Sequence, residues 1–259
     1  MIIDSHIHLY AIEFDADRDL LIKEALDQNV STFLMPNIDE HSIDSMMCLV
    51  KEHAGVCLPM LGLHPCYVKE NYEQVLQKMY LLFEQYQFFA IGETGIDLYW
   101  DTTTKAQQIE AFKIQLNWAK EKNLPIVIHS RNSTEEILLQ IEKDGAPSAG
   151  GIFHCFSGNK DQALRCINLG FLLGIGGVVT FKKAGLDVLV QDIDMQHLIL
   201  ETDAPYLAPA PYRGKRNIPV YINLVAEKLA QIKGISKEEC MHLTRSNAIR
   251  LFKLNHLND

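Results

Sequence analysis

The sequence begins with MIIDSHIHLY, in which two histidines, His6 and His8, follow a short apolar run. If this run is a β-strand, residues i and i+2 point to the same face, so both imidazoles would converge on one point. Imidazole is a common metal ligand, although single histidines also pack in protein cores. The spacing therefore predicts a metal site, provided that other segments supply further ligands.

Six short apolar runs each end in a side chain that binds metal ions or transfers protons. They are MIIDSHIH with His6 and His8, LGLH with His64, FFAIGE with Glu93, PIVIH with His129, GGIFH with His154 and LILETD with Asp203. A single histidine at a strand end is usually a core residue. The same placement on six segments is difficult to explain by chance, so we interpret these residues as one polar centre.

The predicted centre has too many ligands for a single tetrahedral ion. A catalytic zinc ion needs three protein ligands and an open position, whereas several imidazoles with two carboxylates suit two divalent ions that share a carboxylate. Glu93, from a segment in the middle of the series, is the candidate for the shared ligand. Two such ions supply hydroxide near neutral pH, which is hydrolytic chemistry. The mixed ligands suit zinc, manganese or magnesium.

The segments that position these residues alternate between apolar runs and stretches with a helical period. STFLM and FLLGIG complete a set of eight predicted strands, and helical stretches separate them. Eight such units predict a single (β/α)₈ barrel over residues 1–259, with a doubly wound open sheet as the alternative. The strand ends of a barrel share one face, which would bring the six segments together. Two more helices are predicted near 219–232 and 236–251, the second with Ser236 and Glu239 spaced as a capping box.

Composition and charge restrict the class of protein further. The chain has 259 residues, 47% of them hydrophobic and 22% charged. It has no apolar run of about 18 residues, so we expect no membrane span, and its N-terminus lacks a basic region followed by an apolar run, so we expect no signal peptide. We predict a cytoplasmic monomer. The net charge of −9 opposes nucleic-acid binding over a broad surface but allows a local phosphate pocket. The six cysteines include no CxxC pair, so neither a zinc ribbon nor a disulfide framework is predicted.

Several of these motifs together resemble those of a known family. DSHIH, LGLHPCYV, IGETGIDLYW, PIVIHSR, FHCFSG and ETDAPYLAP occur in the same order as in the TatD-type metal-dependent hydrolases, a branch of the amidohydrolase-like superfamily. The combination of HCFSG and ETDAPYL is very specific, whereas HIH alone is not. The resemblance implies a (β/α)₈ barrel that holds two divalent ions and hydrolyses phosphodiester bonds, in many members those of DNA.

The resemblance also implies a role for each residue of the centre. The family's metal ligands are matched by His6 and His8 for the first ion, Glu93 as the bridging carboxylate, and His129 and His154 for the second ion. Asp203 matches the carboxylate that binds the first ion and holds or deprotonates the attacking water. His64 matches a histidine that lines the substrate pocket.

Two departures from the family pattern concern the substrate more than the metal ions. Members usually read RNEP downstream of the aspartate, whereas this chain has Ile218 in GKRNIPVYI, where a glutamate is expected. Isoleucine accepts no hydrogen bond, so one polar contact is lost or is supplied elsewhere. In HSRNS, Asn132 replaces an acid that the family often has, and it carries no charge.

Basic and aromatic residues near the predicted centre are candidates for substrate contacts. The basic candidates are Arg131, which follows a ligand segment, and Arg213, Lys215 and Arg216 in the loop after Asp203. Guanidinium groups bind phosphate bidentately, although basic loop residues are often simply solvated. Tyr99 and Trp100 would either stack on unpaired bases or pack at the mouth of the barrel.

The leading hypothesis is a metal-dependent phosphodiesterase, a deoxyribonuclease of the 3'-5' exonuclease type, with Asp203 and Glu93 as catalytic residues. Its substrate would be DNA or another phosphodiester. The same metal-bound hydroxide also attacks carbon, so hydrolysis of an amide or ester is the alternative, for example removal of an aminoacyl group or opening of a cyclic amide. A non-catalytic, metal-stabilised scaffold is disfavoured, because burying so many acids and imidazoles without metal would be costly.

Overall fold

The computed structural model of the protein describes residues 1–100 and 102–254. All eight predicted strands are present. They are β1 (Ile2–Asp4), β2 (Val30–Pro36), β3 (Cys57–Met60), β4 (Ile91–Asp97), β5 (Ile126–Arg131), β6 (Gly151–Phe153), β7 (Phe171–Ile175) and β8 (Leu198–Leu200). The last residues of the predicted domain, 255–259, lie outside the described part of the chain.

The strands are parallel and follow one another in chain order. β1, β2 and β3 form one sheet, and β4 to β8 form a second. A bridge between Leu61 and Ile91 joins the two sheets. On the other side, Ser5 after β1 donates from its backbone N–H and its hydroxyl to the Leu200 carbonyl of β8, at 3.1 and 2.9 Å. This circular order is that of a (β/α)₈ barrel rather than a doubly wound open sheet.

A helix follows each strand, and the last strand is followed by two. Within the described residues these are α1 (Arg18–Asp27), α2 (Ser42–Glu52), α3 (Tyr72–Tyr80), α4 (Lys105–Lys122), α5 (Thr134–Asp144), α6 (Lys160–Asn168), α7 (Leu186–Gln191), α8 (Ile222–Lys233) and α9 (Lys237–Phe252). Pro219–Tyr221 form a 3₁₀ turn before α8. The Ser236 hydroxyl accepts a hydrogen bond from the Glu239 N–H at 3.0 Å, as the sequence predicted. None of these helices is long and apolar enough to cross a membrane.

Because successive side chains of each strand point to opposite faces, the buried apolar residues form two separate cores. In β5, Ile126 and Ile128 belong to the larger core, which includes the inner faces of the helices, whereas Val127 belongs to a smaller core. The smaller core takes residues from other strands as well, such as Ile152 and Ile199, together with the last turns of α9. It is therefore the interior of the barrel. Because successive side chains point to opposite faces, residues two positions further along each strand also face the interior.

The interior faces end in polar residues, two of which, His129 and His154, were predicted from the sequence. His129 is two residues after Val127, His154 is two after Ile152, and Glu201 is two after Ile199. These three polar side chains therefore form a layer above the apolar interior, at the carboxyl ends of the strands. Catalytic residues of (β/α)₈ enzymes lie at this face.

Away from this face, Arg165 of α6 links two glutamates of α5. Its guanidinium donates to both carboxylate oxygens of Glu142 at 2.9 Å and to those of Glu135 at 2.8 and 2.9 Å. These bonds lower the pKa of both carboxyl groups. A carboxyl group with a lowered pKa stabilises the fold above its unfolded pKa of about 4.3, and the contribution disappears as pH falls through the folded value.

We therefore expect Arg165→Met to lower the free energy of unfolding modestly at pH 7, because the contacts are exposed to solvent. The difference from the unmodified protein should shrink below about pH 4, where both carboxyl groups become protonated. Urea unfolding at several pH values measures it, and Arg165→Lys is the control that keeps the charge but loses the bidentate geometry. A difference that stays constant down to low pH would show that the effect is not electrostatic.

Candidate metal centre

His6 and His8 lie directly after β1 and face each other across a small space. Their Nε2 atoms are 3.2 Å apart, and both side chains are buried. Two nitrogens bound to one tetrahedral zinc ion at 2.0–2.1 Å would be about 3.3 Å apart, so this separation fits a shared ion. The buried Asp4 fixes the segment, because its carboxylate accepts hydrogen bonds from the backbone N–H groups of His6 and Thr202 at 3.3 and 3.0 Å.

The two carboxylate oxygens of Glu93 face different sets of histidines. Oε2 is 3.2 Å from His6 Nε2 and 3.7 Å from His8 Nε2. Oε1 faces the histidines of the other strands, with distances of 3.0 Å to His129 Nδ1, 3.5 Å to His64 Nε2 and 3.9 Å to His154 Nε2. Burial alone raises the pKa of Glu93, but the surrounding histidines lower it well below its usual range. Glu93 is therefore an ionised carboxylate between two groups of imidazoles.

Asp203 completes the group around His6 and His8. Its Oδ1 lies 3.8 Å from His6 Nε2, 3.6 Å from His8 Nε2 and 3.7 Å from His154 Nε2. Burial raises its pKa, but the neighbouring histidines outweigh this and lower it. Its backbone has a φ of 58°, a left-handed conformation that is uncommon for residues other than glycine and is often found at functional sites. The Asp203 N–H donates to the His6 carbonyl at 2.9 Å, which joins the two ligand segments.

Three of the histidines have a second polar group behind them, which is hydrogen-bonded to His129 and His8 and within ion-pair distance of His154. His129 Nε2 is 2.8 Å from Asp97 Oδ2, His154 Nδ1 is 3.2 Å from Glu201 Oε1, and His8 Nδ1 is 3.0 Å from the Tyr10 hydroxyl. Such pairing fixes the ring and directs the lone pair of the other nitrogen to a metal ion.

The Tyr10 contact identifies the His8 tautomer. The Tyr10 hydroxyl donates its proton to the Pro36 carbonyl at 2.6 Å, so it accepts from His8 Nδ1–H. In the neutral ring, His8 Nε2 then carries the lone pair and faces the centre, which is the tautomer that binds a metal ion. The donor set fits divalent ions, because nitrogen and carboxylate ligands converge with their lone pairs directed inward.

The supporting residues Tyr10, Asp97 and Glu201 were missed by the sequence analysis. Asp97 lies four residues after Glu93 in the same strand, and Glu201 lies two before Asp203, so a carboxylate near a ligand was the available signal. Glu201 is fully buried and occupies space beside Gly174, where an added Cβ would lie 2.4 Å from its Oε2. Only glycine at position 174 leaves room for that carboxylate.

We expect Asp97→Asn to weaken metal binding by about 10- to 100-fold, because the amide cannot hold His129 as a carboxylate does. Burial raises the pKa of Asp97, but the hydrogen bonds from His129 and from the backbone N–H groups of Trp100 and Tyr99 together lower it to about 2. Calorimetric titration with zinc or manganese measures the affinity. Asp192→Asn, which removes a surface carboxylate paired with Lys160, is the control. Equal metal affinities for the two variants would contradict a supporting role for Asp97.

The predicted substrate residues have different surroundings in the structure. His64 lies inside the cluster, at 3.5 Å from Glu93, and its Nδ1 accepts from the Cys66 N–H at 3.1 Å. The Arg131 guanidinium lies over the Tyr99 ring at 4.2 Å, and that of Arg213 lies over the Phe181 ring at 4.5 Å. Both arginines are exposed to solvent.

Arg216 differs from the other basic candidates, because it is engaged by acidic and carbonyl oxygens away from the centre. It forms a bidentate pair with Asp17, at 3.0 and 2.5 Å, and also donates to the Glu13 carbonyl. As a phosphate contact, Arg216 is therefore disfavoured, since binding phosphate would require breaking this pair.

The two departures from the family pattern have structural explanations. Ile218 packs against the larger apolar core. The neighbouring Asn217, which matches the asparagine of RNEP, donates through its Nδ2 to the carbonyls of Thr202 and Tyr206 at 2.8 and 2.7 Å, on either side of Asp203. Asn132 has a left-handed backbone with a φ of 55°, a conformation that asparagine tolerates well.

Comparisons with known proteins agree with this arrangement. A model of the family described as TatD related DNase matches residues 3–253. The chain is 38% identical to YabD of Bacillus subtilis (strain 168), described as an uncharacterized metal-dependent hydrolase, over 98% of this chain and 100% of the relative. It is 33% identical to the 3'-5' ssDNA/RNA exonuclease TatD of Yersinia pseudotuberculosis serotype O:3 (strain YPIII), over 97% and 99%.

A solved structure shows the same fold. The crystal structure of YJJV, a TatD homolog from Escherichia coli K12, superposes with a TM-score of 0.91 at 25% identity, over 97% of this chain and 98% of that one. The family match covers nearly every described residue and includes all six strand ends of the centre. Sequence, fold and site therefore lead to one assignment, and the chain belongs to the TatD-related DNase family.

Proposed function

We propose that this protein is a divalent-metal-dependent phosphodiesterase that removes nucleotides from the 3' ends of single-stranded nucleic acid. The observation that carries the proposal is the placement of Glu93, whose two oxygens face two separate groups of ligands. Family membership supports hydrolysis, and a relative named as a 3'-5' ssDNA/RNA exonuclease supports the class of substrate.

The proposal assigns two divalent ions to the centre. His6, His8 and Asp203, whose ligand atoms lie within 4.8 Å of one another, would hold the first together with Glu93. Glu93 with His129 and His154 would hold the second, and His64, at 3.5 Å from Glu93 Oε1, is close enough to join this group. Zinc, manganese and magnesium all suit such ligands. When bound, two such ions lower the pKa of a water molecule and polarise a phosphoryl oxygen.

The chain's own residues orient the reactants and move the proton. Asp203 is the only aspartate of the ligand group, and its ionised carboxylate holds the attacking water and accepts its proton. Glu93 stays ionised because the histidines lower its pKa, so it balances positive charge throughout the reaction. Arg131 and Arg213 supply exposed guanidinium groups for the phosphates of the substrate, as bidentate donors. The monomeric state and cytoplasmic location stay predictions.

The test is an activity screen of the purified protein with zinc, manganese and magnesium added separately. The substrates are 5'-labelled single-stranded DNA, the same strand in a blunt duplex, RNA, and a cyclic amide. We expect the single strands to shorten stepwise from the 3' end, and a strand blocked with a 3' inverted nucleotide to resist. Asp203→Asn protein prepared in parallel controls for contaminating nucleases. Hydrolysis of the amide with intact oligonucleotides would replace this proposal with the amide alternative.

A further inference from the structure

Exposed aromatic side chains gather at the end of the barrel that carries the metal centre. Five large aromatic side chains are exposed in the described part of the chain: Tyr67, Tyr86, Tyr99, Trp100 and Tyr206. All but Tyr86 lie no more than three residues after His64, Asp97 or Asp203. Exposed apolar groups that cluster in this way mark a binding surface rather than random exposure.

Tyr99 and Trp100 form a step together with Arg131. The Tyr99 side chain is 54% exposed and that of Trp100 is 70% exposed, and their rings are perpendicular with centroids 4.9 Å apart. Arg131 lies two residues after His129 on the same face of β5, and its guanidinium carbon is 4.2 Å from the Tyr99 ring and 5.8 Å from the Trp100 ring. Its guanidinium group makes no hydrogen bond or ion pair with residues 1–100 or 102–254, and Arg131 is exposed to solvent.

The step is fixed to the metal centre through Asp97. Asp97 Oδ1 accepts hydrogen bonds from the backbone N–H groups of Tyr99 and Trp100 at 2.8 and 2.9 Å, while Oδ2 binds His129 at 2.8 Å. The Leu98 N–H also donates to the Arg131 carbonyl at 3.0 Å. One carboxylate therefore positions both a metal-facing imidazole and the two exposed rings, so the step keeps a fixed distance from the centre.

We propose that Tyr99, Trp100 and Arg131 form a binding subsite for the unpaired bases at the 3' end of the substrate strand. The inference rests on the proposed function and explains how an acidic protein binds a polyanion. With a net charge of −9, binding has to come from local contacts. Aromatic faces stack on any unpaired base, and the guanidinium binds the adjacent phosphate. Bases within a duplex are stacked on their neighbours, so the step favours single strands.

Binding is tested with a thymidine oligonucleotide whose 3' linkages are phosphorothioates, which slows its hydrolysis. We expect Trp100→Ala and Tyr99→Ala to weaken binding by about 5- to 100-fold, measured by fluorescence anisotropy of the labelled strand. Trp100→Phe, which keeps an aromatic face, should retain most of the affinity. Tyr86→Ala removes an exposed ring outside the site and is the matched control. Trp118 is only 6% exposed, so quenching of tryptophan fluorescence by the strand reports contact with Trp100.

An oligonucleotide with abasic sites at its three terminal positions separates stacking from phosphate binding. The unmodified protein should prefer the normal strand to the abasic strand, and Trp100→Ala should lose most of that preference. Equal binding of the two strands by the unmodified protein, or equal affinities of Trp100→Ala and Tyr86→Ala, would overturn the subsite. If the unmodified protein still degrades a normal strand in that case, the proposed function stands. A protein that degrades no nucleic acid overturns both.

Discussion

Asp203→Asn is expected to lower turnover on single-stranded DNA by about 10² to 10⁴, the usual range for loss of a general base. The carboxylate lies 3.6 to 3.8 Å from His6, His8 and His154, and asparagine keeps its shape but not its basicity. Substrate affinity should change much less, because the proposed phosphate contacts, Arg131 and Arg213, are not altered. Any loss of metal would add to the loss in turnover.

Turnover, substrate affinity and metal content of the Asp203→Asn variant have to be measured on the same preparation. Near-normal turnover at full metal occupancy would remove Asp203 from the mechanism. Loss of affinity with unchanged turnover would instead make it a substrate contact. Asp187→Asn, which changes an aspartate in the first turn of α7, is the control for a nonspecific effect of removing a negative charge.

Glu93→Gln is expected to have a similarly large effect, about 10³-fold or more in turnover, because in the proposed centre this carboxylate would contribute to both ions. Its Oε2 faces His6 and His8, while its Oε1 faces His129 and His64, so one substitution removes a charge from both groups. The affinity for both ions should fall together. This is measured by titrating the protein with metal and determining the bound metal by elemental analysis.

His6→Ala is the matched comparison for the Glu93 variant. It removes a ligand that lies on the Oε2 side only, so we expect it to weaken mainly one ion. If Glu93→Gln and His6→Ala each lose the same single ion, then Glu93 is an ordinary terminal ligand and the bridging role is wrong.

The strands were predictable because their burial determines their composition. β5 and β7 are buried almost throughout, so they read as uninterrupted apolar runs, and the residue type changes where the chain reaches the polar face. The same reasoning located Glu93 and His129, since each follows such a run. The fold and the convergence of these side chains therefore follow from sequence pattern together with the rules for parallel barrels.

The supporting contacts were not predictable, because they depend on how distant segments pack. The bond between Asp97 and His129 depends on the register of β4 and β5, in which Gly95 pairs with His129. The pair between Arg216 and Asp17 joins residues almost 200 positions apart. In one sequence without its relatives, a carboxylate near a ligand does not show which side chain it pairs with, and a charged loop residue looks the same whether it binds substrate or another side chain.

The central claim is that two ions share Glu93, and anomalous diffraction from crystals grown with manganese tests it most directly. We expect two peaks per chain, one beside His6, His8 and Glu93 Oε2, and the other beside His129 and Glu93 Oε1. A single peak, or two peaks of which only one contacts Glu93, would contradict it.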